Sequence, residues 1–568
     1  MNTLGRTTLR LRVASAMVAA ALVLTGCADI LLPSAEPEAK QPVPKDLSVY
    51  LEQTAEWGEC DAEVLLPVDE TSVIFGQTVV ECSSVLVPAV YDTATITAEF
   101  EIQMMRMRWP GDEPRRGHIF INPGGPGGSG IEQLQYSDFP QELLENYNIV
   151  GFDPRGVGAS VFADGSTIKC SDQLDYASYF MESSPADEKE YDRLIKEADR
   201  YYEDCIANNP LWWTLSTAHV VDDLDIMRQA VSGDEPLHFI GSSYGTRIAS
   251  QYVTEFPEHV GFIVLDSPVT VDTDPIASYL EDLAANEEKL VTRVENYADY
   301  AGLSFDEAFD RLLQIRQWAD DGEIYGFAGY EPASTVDAMM SSEALFQAGV
   351  FAMNYLPEDE AAYYFNGAID ELWVNRWNGT FEWFGLWLDG YEPDALEGGN
   401  SLEEKNIIRS NEYEIRVIVN TMDFSEPPYT EEQQRDLSQR SKEIAPYFTT
   451  LYQDASGYEY FGPPKGLSWY QIAIDDPVIP DPPDTPFVPA NTSGKKLLII
   501  GATRESVTPF AFAEATADLL ASPLITVDTS MHAPAAYYTN SCVTEALLDY
   551  FVRDVDMTDR QCGDADLG

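Results

Sequence analysis

The stretch His238–Ser250, "HFIGSSYGTRIAS", sets two serines between two glycines, behind an apolar run and ahead of a run with helical periodicity. Gly241, Ser243 and Gly245 fit G-x-S-x-G, the tight strand-to-helix turn that lifts a serine hydroxyl above the edge of a sheet. Small flanking residues are needed because that turn is strained and crowded. Ser242 fails the same test, since its flanking positions would be Ile240 and Tyr244. The apolar "LHFI" enters the motif and the helix-like "TRIASQYVTEF" leaves it, so a strand, a turn and a helix are predicted in that order.

Outward from this turn lie further short apolar runs: "GHIFINPGG" near 117–125, "YNIVGFDPRG" near 147–156, "VGFIVLDSP" at 260–268, "KKLLIIGA" at 495–502 and "PLITVDTS" at 523–530. β-Branched apolar runs of this length, separated by helical patterns such as "DDLDIMRQAV", predict a mostly parallel sheet covered on both faces, an α/β architecture. More than two hundred residues of different texture separate Pro268 from Lys495. A segment that long is not a structureless loop, so a large, mainly helical cap domain is expected over 273–485, inserted between core segments 50–272 and 486–568. Its densest aromatic patch, "ELWVNRWNGTFEWFGLWLDG" at 371–390, reads as packing inside that insertion.

A serine hydroxyl needs a base, normally a histidine oriented by a carboxylate. Of five histidines, His118 opens an early strand, His219 precedes the turn, His238 lies on the strand entering it, and His259 follows too closely. With this kind of turn the chain order is serine, acid, histidine, with the histidine after the last strand, where only His532 lies. The acid should follow the preceding strand. Glu505 in "ATRESVTPF" is the choice there, with Asp266 and Asp528 as rivals. Backbone amides must hold the developing oxyanion. The N–H of Tyr244 supplies one, and Gly125 in "NPGGPGGSG", Asn122–Gly130, is expected to supply the other. A phosphate-binding loop is set aside because no G-K-[ST] follows, and no nucleotide or other cofactor is expected.

The N-terminus reads as an address. Arg6, Arg10 and Arg12 precede the apolar run Val13–Leu24, too short to span a bilayer, and "LTGC", Leu24–Cys27, resembles a bacterial lipobox. Residues 1–26 are therefore expected to be a lipoprotein signal peptide. Cys27 would carry the lipid anchor, and 27–49, rich in proline and charge, would be a tether holding the protein on the outer face of the membrane. The remaining six cysteines fall into sequence-local pairs, so bridges Cys60–Cys82, Cys170–Cys205 and Cys542–Cys562 are expected. No C-x-x-C spacing suggests a metal site. A composition 45% hydrophobic and 11% aromatic is globular, and a formal net charge of −62 argues against nucleic acid as a partner.

Taken together, "INPGGPGGSG", "GFDPRGVGAS", "DDLDIMRQAV", "GSSYGTRIASQYVTEFPEHVGFIVLDSP" and the "TP" of "ESVTPF" resemble the tripeptidyl-aminopeptidase and proline-iminopeptidase-like α/β-hydrolases secreted by actinobacteria, which include lipoprotein serine proteases. The resemblance covers roughly 50–272 and 486–568. It implies the α/β-hydrolase fold, Ser243 as nucleophile, Glu505 as acid, His532 as base and the Gly124–Gly125 region as oxyanion donor. The family usually has Asp at the place of Glu505. It also implies that "DPRG", Asp153–Gly156, braces the loops beneath the site. The substrate class follows from the same resemblance: a peptide cleaved from its free N-terminus, with an acyl ester as the alternative and a hydrolase-like binding protein as the third reading.

Overall fold

The computed structural model describes residues 47–66, 71–91, 98–111, 116–170, 203–269, 275–321, 358–376, 412–423, 431–451, 496–536 and 540–563, with Lys189, Lys196, Arg200, Glu323, Ile324 and Leu356 beside them. The expected signal peptide, Cys27, all but the end of the tether, and the aromatic stretch beyond Arg376 lie outside the described residues.

Each predicted apolar run forms a strand: β3 (His118–Asn122), β4 (Asn148–Phe152), β6 (Leu237–Ser242), β7 (Val260–Asp266), β8 (Lys496–Ala502) and β9 (Leu524–Val527). They pair in parallel as β4-β3-β6-β7-β8-β9, and β10 (Arg560–Cys562) extends the same edge. The runs are continuous because both faces are covered. On one face Phe120, Phe239, Ile263, Leu265, Leu497 and Ile499 pack against helices α2 (Thr217–Ser232), α3 (Gly245–Glu255) and α10 (Phe510–Leu520). On the other, Ile119, Ile121, Ile240, Val264, Leu498 and Ile500 pack against α1 (Gly130–Tyr136) and α11 (Ser541–Phe551). Successive residues of one strand thus serve opposite cores.

At the far edge β1 (Val79–Pro88) and β2 (Glu99–Arg108) add an antiparallel pair, with β5 (Val161–Phe162) beside β2. The apolar-run reading assigns no strand there. "EFEIQMMRMR" largely alternates polar with apolar residues, fully buried positions with half-buried ones, so it lacks the continuous signature of the inner strands.

Between β7 and β8 the described elements are all helices: α4 (Pro275–Ala301), α5 (Phe305–Asp320), α6 (Glu358–Asn375), α7 (Glu412–Asp423), α8 (Glu431–Ile444) and α9 (Pro446–Leu451). Residues of α4, α5 and α6 share a core of their own around Val294, Tyr297, Leu312 and Phe365. α7 differs: its Ile415, Ile418, Val419 and Met422 join the core beneath the sheet. The three expected cysteine pairs are bonded. Among the described residues no helix is long and apolar enough to cross a membrane.

The "DPRG" segment ties the end of β1 to α2 and to the loops before α1 and α2. The fully buried Arg155 guanidinium pairs with Asp223 (2.5 Å) and donates to the carbonyls of Pro88, Ala89 and Thr214. Asp153 accepts from the Ser129 hydroxyl (2.5 Å) and the Ile131 and Ala159 amides.

Candidate active site

The C-terminal ends of β3, β6, β7, β8 and β9 lie side by side, the place where a parallel sheet opens a crevice for ligands. Every residue singled out by the sequence as nucleophile, acid, base or oxyanion donor stands at or just after one of these ends. Between β6 and α3, Ser243 takes φ 53°, the left-handed conformation that costs a non-glycine residue about 1–3 kcal/mol. Its neighbours explain why the turn tolerates no bulk. A Cβ on Gly241 would lie 2.3 Å from the Gly245 carbonyl oxygen, and one on Gly245 would lie 2.6 Å from that of Asn122. The Ser243 N–H donates to the Asp266 carbonyl (2.9 Å), and the Thr246 hydroxyl and N–H both donate to the Ser243 carbonyl.

The two serines part company here. Ser242 is buried and its hydroxyl donates to Asp266 Oδ2 (3.1 Å), whereas Ser243 is partly exposed at the top of the turn.

Of the three carboxylates proposed for the acid, Glu505 meets the imidazole: its Oε2 lies 2.5 Å from His532 Nδ1. Both side chains are buried, which strengthens the contact by excluding water. Glu505 Oε1 accepts from the Ser267 hydroxyl (2.7 Å), which in turn accepts from the Ala533 N–H (3.0 Å), so one serine joins the acid to the loop of the base. Asp266 has another partner set. Its Oδ2 accepts the Ala535 and Ala536 amides, each at 3.1 Å, besides Ser242, and burial pushes its carboxyl up to about 7. Asp528 is exposed and pairs with Arg504 (2.9 Å).

With Nδ1 turned to Glu505, Nε2 is the ring nitrogen left to act as a base. The other histidines are engaged elsewhere. His118 meets Asn148, His219 meets Ser216, His238 accepts from the Phe262 N–H, and His259 meets Asp225. Burial holds the first three well below the ordinary imidazole range, to about 4, 3 and 4.

The glycine-rich loop after β3 lies against the turn. A Cβ on Gly124 would come within 2.7 Å of the Tyr244 nitrogen and 3.0 Å of Ser243 Cβ. Neither the Tyr244 nor the Gly125 amide has an acceptor among the described residues. Gly124 is expected as a donor too, but its N–H goes to Asn122 Oδ1 (3.0 Å), so what it contributes is the absence of a side chain. Gly125, Gly127 and Gly130 do meet the G-x-G-x-x-G spacing of a dinucleotide-binding turn. The start of α1 is nevertheless taken: Asp153 accepts the Ile131 N–H, and the Ser129 hydroxyl accepts that of Glu132.

A family model described as the alpha/beta hydrolase fold matches residues 117–378, and one described as TAP-like protein matches 474–562. The chain is a TAP-like α/β-hydrolase. Serine protease Hip1 of Mycobacterium tuberculosis is 26% identical to it over 563 residues, spanning 95% of this chain and 94% of that one. Tripeptidyl aminopeptidase of Streptomyces lividans is 30% identical over 310 residues, half of this chain and 52% of that one. Carboxylesterase B of Mycobacterium tuberculosis is 26% identical over 488 residues, with 83% and 84% covered. With a serine on the strained turn and a buried imidazole–carboxylate pair tied through Ser267 to the strand end that the turn's own N–H meets, this TAP-like hydrolase is a serine hydrolase.

The roles of several site residues are not read from the sequence. Ser267, itself at φ 50°, links acid and base, and the Thr508 hydroxyl lies 3.4 Å from His532 Nδ1. Asn286 and Lys289 reach the loops of Glu505 and His532 from α4. Ser267 and Thr508 flank recognisable strand ends, but no motif marks the α4 pair.

Proposed function

We propose that this TAP-like hydrolase is an extracytoplasmic exopeptidase that releases short peptides from free N-termini through an acyl-enzyme on Ser243. The observation that carries the reading is the buried Glu505–His532 pair, at the same end of the sheet as the elbow serine, in a chain similar to Serine protease Hip1 along nearly its whole length. Ser243 Oγ attacks the scissile carbonyl carbon while His532 Nε2 takes its proton. The Tyr244 and Gly125 amides hold the oxyanion. Collapse breaks the C–N bond, and His532 returns the proton to the departing amine. Water, activated by His532, then attacks the acyl carbon and frees the peptide acid and the serine.

An acceptor for the substrate's ammonium group is proposed at Asp282 on α4. Its Oδ1 is buried without a hydrogen-bond partner among the described residues, and burial, with Glu281 and Glu505 nearby, holds its carboxyl well above the usual range. A cation there would restore the ionised form. The similarity to Carboxylesterase B supports the alternative of an esterase with the same triad. A panel of tripeptide arylamides with free and acetylated N-termini, set against short acyl esters, separates the two. The peptidase reading expects acetylation to lower kcat/KM by about tenfold or more, an ion-pair effect that Asp282→Asn removes. Equal rates on free and blocked peptides, with faster ester cleavage, would favour the esterase.

Three disulfides fit an oxidising compartment outside the cytoplasm. The lipobox-like "LTGC" supports acylation of Cys27 and attachment to the outer face of the membrane. Metabolic labelling with a fatty-acid analogue should mark the wild type and not Cys27→Ser, and equal labelling of both would exclude that site.

A further inference from the structure

Helix α4 touches both loops that carry the acid and the base. Asn286 Nδ2 donates to the carbonyl of Ser506, next to Glu505 (3.2 Å), and Lys289 Nζ donates to the carbonyl of Ser530, two residues before His532 (3.0 Å). Residues three apart share one helix face, so a single face of α4 meets the backbone on either side of the imidazole–carboxylate pair. Ser530 is held a second time from the insertion, its hydroxyl donating to the Leu356 carbonyl (3.5 Å). Lys289 is 6% exposed. An ammonium taken that far out of water is costly, and a long aliphatic side chain would fill the same space without that cost.

We propose that Lys289 is a positioning residue, which ties the inserted helices to the His532 loop through the Ser530 carbonyl and makes the base competent only when α4 is seated. The inference rests on Ser243 and His532 acting as proposed above.

The surroundings of Lys289 add a pH signature. Burial lowers its ammonium to about 7; Arg293 on its own helix and Arg504 beyond β8 act the same way, while Glu358 at the start of α6 and Glu505 oppose them. Arg504 is paired with Asp528. Below about pH 7 Lys289 therefore carries a positive charge beside the Glu505–His532 pair. That charge disfavours a second positive charge on the imidazole and weakens the pull of Glu505. Removing it favours the imidazolium, so the acid limb of activity should move to higher pH.

The test is the second-order rate of fluorophosphonate labelling from pH 5 to 9 in wild type, Lys289→Met and Lys289→Arg, with folding checked by circular dichroism. Lys289→Met is expected to label about ten- to hundredfold more slowly at pH 8, the scale of a misplaced base, with its acid limb moved up by about half a unit or more. Lys289→Arg keeps a donor and, below about pH 7, the charge, and should stay within about threefold, with its acid limb no higher than that of the wild type. Lys289→Gln takes the same prediction as Met if the Met variant fails to fold. A folded Met or Gln variant that labels within twofold of wild type on an unmoved limb overturns the inference. So does a slowing with an unmoved limb, the mark of packing alone. Absence of labelling in wild type would instead overturn the serine-hydrolase chemistry, leaving the two failures distinct.

Discussion

Ser243→Ala is expected to lower kcat by about 10⁴-fold or more, on peptide and ester substrates alike, while leaving the fold intact. The loss is large because the hydroxyl is the atom that bonds to the substrate. Residual turnover would come from binding and the oxyanion amides acting on water. The fold should hold because, among the described residues, the hydrogen bonds of Ser243 are made by its backbone. The contacts that shape the turn are made by its backbone, N–H to Asp266 and carbonyl to Thr246. Alanine at φ 53° keeps the same left-handed strain. Ser242→Ala is the opposite case: it removes the hydrogen bond to Asp266 Oδ2 from a buried carboxylate and should act on stability before rate, by about 1–3 kcal/mol. Circular dichroism and kcat on the two variants together assign the serines.

Glu505→Gln is expected to lower kcat by about 10³- to 10⁴-fold, about 4–5.5 kcal/mol of transition-state stabilisation, and Asp266→Asn by less than about fivefold. Glu505 accepts two hydrogen bonds at once, from His532 Nδ1 and from the Ser267 hydroxyl, and an amide cannot replace both oxygens. With its N–H toward His532 the amide faces a donor, with its N–H toward Ser267 it forces that hydroxyl to turn its own hydrogen away, and in both cases the charge that stabilises the imidazolium is gone. Asp266 faces backbone. Its Oδ2 collects the Ala535 and Ala536 amides and the Ser242 hydroxyl, while Oδ1 has no hydrogen-bond partner among the described residues. An asparagine oxygen accepts the same three bonds. Burial already raises that carboxyl to about 7, so the neutral form is well populated near neutral pH and the amide resembles it. Rates on the two variants reversed from this order would make Asp266 the acid.

The inner sheet was legible because its strands are buried on both faces. "HIFIN", "NIVGF" and "KLLIIGA" are nearly all buried, and such runs carry no competing polar signal. The β1–β2 pair was not, since one residue in two along β2 is only half-buried and the apolar run is broken. The choice between Ser242 and Ser243 was also local: two glycines decide it, and the structure shows what their side chains would strike. The acid was not a local question. Glu505, Asp266 and Asp528 all stand at or just after strand ends of the same sheet, and which one touches the imidazole depends on loops brought together across hundreds of residues. The same holds for Lys289. On an amphipathic helix of an acidic chain, a lysine looks like part of a solvated face, and only the seat of α4 on the Ser530 loop reveals otherwise. α7 carries a related lesson. Asp423 at its end accepts from the Thr217 hydroxyl (2.5 Å) and meets Arg247 of α3 (3.3 Å), so the inserted helices also grip the helix that follows the nucleophile.

The account turns on one bond, that between Ser243 Oγ and an acyl group. Treating the folded protein with a fluorophosphonate, digesting it and locating the adduct by mass spectrometry reads the site of that bond directly. One phosphonylated residue per chain is predicted, at Ser243 in the peptide containing "GSSYG", with none in Ser243→Ala. An adduct on Ser242 or on another serine, or an active enzyme that takes up no label, would contradict it.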